Sequence, residues 1–118
     1  MGWKLTERAG PRVKRFSFDN LGGALDAMEV RGGELAESAP QEALDAKFRR
    51  FEPRQRVIAR LELAGPERLA PSVRAGVDVR GDGSVEAFRG RVRRQIVDPQ
   101  PGESPYAALR RVLIVSDR

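Results

Sequence analysis

The sequence predicts an α+β fold: one domain over residues 1–118, an antiparallel sheet with two helices packed on one face, in the order β-β-α-β-β-β-α. Three observations predict it. Aliphatic and charged residues alternate with period two through residues 3–18, 56–63, 73–80 and 85–97, as strands with one dry and one wet face require. Residues 21–38 and 105–116 instead repeat apolar residues at helical spacing, each behind a good capping residue. Short turns containing glycine or proline separate the strands.

In the opening WKLTERAGPRVKRFSF, a turn at Ala9, Gly10 and Pro11 divides two strands. Alternation puts Trp3, Leu5, Phe16 and Phe18 on the core side, with Lys4, Thr6, Arg15 and Ser17 outside. Asp19 or Asn20 then caps a helix whose buried stripe is Leu21, Ala24, Leu25 and Met28. Gly32 and Gly33 each cost about 1 kcal/mol relative to alanine in a helix. Leu35 keeps the stripe in phase, so the helix is expected to reach about Ser38 and to stop at Pro40. Residues 40–53 allow a short helix in QEALDAKF and a linker in RRFEPRQ.

Three further strands follow. RVIARLEL (56–63) places Val57, Ala59, Leu61 and Leu63 inside; VRAGVDVR (73–80) places Val73, Ala75, Val77 and Val79 inside. VEAFRGRVRRQIV (85–97) is read with Phe88, Val92 and Ile96 inside and Ala87, Arg89, Arg91, Arg93 and Gln95 outside. Gly81-Asp82-Gly83-Ser84 joins the second and third as a tight hairpin turn. Near the end, Ser104 is an N-cap and Pro105 occupies the first helical position, where its missing N–H costs nothing. Leu109, Val112 and Leu113 form the buried stripe of that helix.

Composition narrows the chemistry. The chain has no histidine and no cysteine, which removes imidazole bases, thiolate nucleophiles and the usual zinc ligands. Carboxylate pairs such as Asp78 with Asp82, or Glu34 with Glu37, are spaced for acid–base work, but they read more simply as solvated acids beside arginines. Glycine motifs at 21–23, 31–33 and 81–83 lack the lysine and the following helix of a phosphate loop. No catalytic residue, metal site or cofactor is expected, and no enzymatic activity. No stretch is long and apolar enough to span a bilayer, so the expected location is the cytoplasm, without a membrane partner.

Charge is unevenly spread. The formal net charge is +5; residues 21–48 are acidic, and the segment that follows is rich in arginine. Seven arginines, Arg56, Arg60, Arg74, Arg80, Arg89, Arg91 and Arg93, fall on the outward phase of the last three strands. A sheet face carrying them suits bidentate contact with phosphate, and so a nucleic-acid, ribosomal or acidic protein partner. Glu62 and Asp78 on the same face can instead pair with arginines across strands, leaving an ion-paired surface. By this phase the face holds no aromatic ring, which argues against base stacking. The alternative is a small structural or interaction domain that forms a homodimer through the first-strand hairpin or an exposed sheet edge.

The α-β-β-β-α order is similar to that of double-stranded-RNA-binding domains and ribosome hibernation factors, an agreement of order without their residue motifs. The stretches AGVDVRGDGSVEAFRGRVRR (75–94) and GESPYAALRR (102–111) resemble those of small proteins from high-GC bacteria. The W-x-L-x-x-R of residues 3–8 and the FD-x-L-x-x-AL of residues 18–25 fit the same group. That resemblance implies one domain with these elements and carries no activity, ligand or site residue.

Overall fold

A computed structural model describes residues 2–45, 56–90 and 93–116. The opening alternation folds as a hairpin: β1 (Trp3–Ala9) pairs antiparallel with β2 (Arg12–Phe18) along its whole length. Gly10 turns the chain between them with φ at 59°, a conformation that favours glycine. Trp3 and Leu5 are buried, and Phe16 and Phe18 pack against the same core.

Asn20 supplies the predicted cap, its Oδ1 accepting from the Gly23 N–H at 2.7 Å. Helix α1 (Leu21–Asp45) then buries Leu21, Ala24, Leu25 and Met28. It does not stop at Pro40. A proline inside a helix forfeits one hydrogen bond and costs about 3 kcal/mol, yet strong helix formers follow it in Gln41–Asp45, and the helix continues. The rest of the stretch read as a short helix and linker, residues 46–53, lies outside the described residues. Nor do the paired glycines end the helix. Gly32 lies where the Tyr106 side chain crosses α1, and a Cβ there would strike the phenol hydroxyl.

The chain next crosses to β3 (Val57–Gly65), which pairs with β1, and continues through β4 (Val73–Arg80), β5 (Val85–Arg89) and β6 (Gln95–Val97). All pairings are antiparallel, and the six strands lie in the order β2-β1-β3-β4-β5-β6. The β4–β5 turn forms as expected. The Gly83 N–H donates to the Arg80 carbonyl at 2.9 Å, and the Ser84 N–H to the Asp82 carboxylate at 2.8 Å.

The stretch 85–97 departs from its reading in two ways. It is two strands, not one, broken after Gly90, where φ reaches 135°. Its side-chain phase in β5 is also inverted: Ala87 is buried in the core, while Phe88 lies on the opposite face. In β6, Val97 is buried and Ile96 is half exposed. The reason is steric. Helix α2 (Pro105–Ser116) packs on β5 through Ala108 and Leu109, and the small Ala87 side chain belongs to that core cluster. Phe88 instead faces Gly76 across the β4–β5 pair, and its ring occupies the space that a side chain at Gly76 would take. Val92, also read as an inner residue, lies outside the described residues.

Helix α2 begins as predicted, with the Ala107 N–H bonded to the Ser104 hydroxyl at 3.1 Å. Both helices contribute to one cluster that includes Leu5, Met28, Leu61, Leu63, Val77 and Leu109. They cover one face of the sheet and leave the other open.

Candidate functional site

The open face is built from the outward phase of β1, β3 and β4 and from Phe88 on β5. Cross-strand register sets Lys4 beside Ala64 and Ala64 beside Arg74. One row over lie Thr6, Glu62, Gly76 and Phe88; beyond them come Arg8, Arg60, Asp78 and Glu86. Period-two alternation alone aligns these residues, so a pattern along each strand becomes a surface across the sheet.

Asp78 anchors that surface. It is 2% exposed although it carries a charge, which is tolerable because two guanidinium groups bond to it. Arg60 Nε donates to its Oδ1 at 2.7 Å, and Arg94 Nη2 donates to its Oδ2. The same two arginines flank the Phe88 ring, Arg94 with its guanidinium carbon 3.9 Å from the ring centroid and Arg60 at 5.7 Å. Burial, and then the neighbouring charge of Arg60, hold Arg94 below the ordinary arginine range; it remains cationic at neutral pH. Arg8 pairs with Glu62 at 3.4 Å, and Arg80 with Glu86 at 2.9 Å.

Between this cluster and the loop of residues 66–72 lies a groove of about 620 Å³. Its lining includes Lys4, Arg8, Arg60, Arg68, Arg74 and Arg94, the Phe88 ring and, among the described residues, a single carboxylate, that of Glu62. Lys4, Arg68 and Arg74 are exposed and make no ion pair with a described residue.

Of the seven arginines read from the sequence, the groove brings together Arg60 and Arg74. Arg80 stands on the same face outside the groove, engaged by Glu86. Arg56 is exposed just before β3, and Arg93 is exposed just before β6. Arg89 is corrected: it shares the phase of Val85 and Ala87, on the helix-covered side, and is engaged there. Arg91 lies outside the described residues.

Lys4, Arg8, Arg68, Arg94 and Phe88 were not among those expected. Lys4 and Arg8 share the outward phase of the first strand, so their signal was present. Arg68 sits in a loop without periodicity. Phe88 became a member because the phase of β5 is inverted, and Arg94 because the chain turns back to pair β6 with β5. The expectation of a face without an aromatic ring is therefore overturned by Phe88.

Other candidates are dispersed. Asp78 lies under its arginines while Asp82 serves the β4–β5 turn, so the two carboxylates are separately engaged. Glu34 and Glu37 are exposed along α1. Among the described residues no group of three or more histidine, cysteine, aspartate or glutamate side chains is placed to hold a metal, and no helix is long and apolar enough to cross a membrane. Compared with family models, curated proteins and solved structures, the chain matches none.

Proposed function

We propose that the chain is a non-catalytic binding module whose open sheet face holds a nucleic-acid backbone. One observation carries the proposal: among the described residues, six cationic side chains and one carboxylate line a single groove. Phosphate diesters repeat one negative charge per nucleotide and match such a surface along its length. The cations divide by role. Arg8, Arg60 and Arg94 are held by Glu62 and Asp78 and keep the groove's shape. Lys4, Arg68 and Arg74 meet phosphate without breaking an internal pair. Arginine suits this task through its planar fork of donors.

Self-association through a sheet edge finds less support. One edge, β2, carries Arg12, Lys14 and Arg15, charges that oppose pairing with a second copy of the same strand, and the other, β6, is only 3 residues long.

The test is fluorescence anisotropy of a labelled oligonucleotide across a salt series. If three phosphates are neutralised, log K falls against log salt with a slope of about −2 for a single strand. Arg74→Glu, exposed and unpaired, weakens binding by roughly tenfold without altering the fold. Absence of binding at about 50 mM salt overturns the proposal.

A further inference from the structure

Resting on that reading, we infer that the nucleic acid is single-stranded and that one of its bases stacks on the Arg94 guanidinium, which itself lies on the Phe88 ring. The layers beneath the base are already assembled. Phe88 Cζ comes within 2.8 Å of the position a Cβ would occupy on Gly76, so the far end of the ring rests against bare backbone. Arg94 lies over the ring at 3.9 Å, close enough for the two π-systems to stack. The bond from Arg94 to Asp78, itself almost fully buried, fixes the guanidinium in place. The Arg94 side chain is still 38% exposed, which leaves surface for a further planar group.

A nucleobase fits that surface. Bases stack on arginine planes as well as on aromatic rings, and such stacking tolerates any base because each has a π-face. A guanidinium already oriented by a carboxylate and a ring loses little freedom when a base arrives. The remaining cations of the groove, Lys4, Arg68 and Arg74, then take the phosphates on either side of the stacked nucleotide. A duplex keeps its bases stacked on one another and offers this face only phosphates, leaving the Phe88–Arg94 pair unused.

Three probes with equal numbers of phosphates separate this inference from the reading beneath it: an oligodeoxyadenylate, a duplex of half its length formed from oligodeoxyadenylate and oligodeoxythymidylate, and an abasic phosphodiester chain. The wild-type protein is titrated with each by anisotropy at one salt concentration. The single strand is expected to bind about tenfold more tightly than the abasic chain, the gain typical of one stacked base, and more tightly than the duplex. Phe88→Leu and Arg94→Lys are each expected to narrow the preference for the single strand over the abasic chain from about tenfold towards one. Fluorescence of Trp3, the single tryptophan, confirms that each variant is folded. Equal affinity of the wild type for the single strand and the abasic chain, or preference for the duplex, overturns the inference and leaves the phosphate-binding proposal standing. No binding of any probe overturns both.

Discussion

Asp78 sits in the middle of β4, 2% exposed, and holds its charge there because Arg60 and Arg94 bond to its two oxygens. Removing one side of a fully buried ion pair costs about 3–5 kcal/mol. Here the arginine side chains are each 38% exposed and regain water when released, so the cost is smaller. Asp78→Asn is expected to destabilise the protein by about 1–2 kcal/mol, read as a lower urea midpoint in the fluorescence of Trp3. An unchanged midpoint would show that Asp78 does not organise the face. Tyr106 presents the opposite case, a buried hydroxyl with no hydrogen-bond partner among the described residues. Burial, and secondarily the charge of Glu29, push it up to about 12. In the unfolded chain tyrosine ionises near pH 10. Below that pH the phenol is neutral in both states and contributes no pH dependence. Between about pH 10 and 12 only the unfolded state gives up its proton, so stability falls as pH rises through this window. Tyr106 is the single tyrosine, so its absorbance in an alkaline titration reports it alone. The expected midpoint lies near 12, and in Tyr106→Phe this part of the alkaline loss of stability disappears.

Among the elements, the strands with regular alternation were legible except at Val57, which period two placed inside and which is exposed where the β3–β4 register shifts before Ala59. Leu61, Leu63, Ala75, Val77 and Val79 are buried where period two placed them. The caps at Asn20 and Ser104 were legible because a side-chain oxygen before a helix has one recurrent use. The stretch 85–97 was not, because Phe88 is the largest apolar residue in it and periodicity assigns such residues inward. What decided the phase was its neighbour across the sheet, Gly76, which leaves room for a ring on the outer face. The cue was a glycine in the middle of an otherwise aliphatic strand, a mark of close approach by another group. Pro40 misled for a similar reason: a local preference was overridden by the helix formers around it. Gly76 gives a direct check at this scale. A methyl group there meets the Leu61 carbonyl and the Phe88 ring together. Gly76→Ala is expected to destabilise the protein by roughly 1–3 kcal/mol and to displace Phe88, which weakens binding of a single strand as well. Thermal unfolding followed by circular dichroism measures the first effect, and wild-type stability would contradict the packing described.

Across the whole molecule, charge along the chain becomes charge by side. Asp26, Glu29, Glu34 and Glu37 are exposed along α1, and Asp26 ties that helix to Arg110 of α2 at 2.5 Å. Arg60, Arg74 and Arg94, joined by Lys4 and Arg8 from β1, occupy the face that the helices leave bare, whereas Arg89 lies on the helix-covered side. The direction of this separation was legible from residue phase. The membership of the groove was not, because it depends on which strands become neighbours and on a loop, residues 66–72, that has no period to read. On the proposed function, a polyanion is expected to approach the open face and to do so less readily as salt rises.

Nuclear magnetic resonance of the amide groups during titration with a short single-stranded oligonucleotide tests this most directly. The largest shifts are expected at Thr6, Glu62, Gly76, Phe88 and Arg94, with α1 and the outer side of α2 unchanged. Shifts confined to the helices, with those five residues still, would contradict the open face as the contact surface.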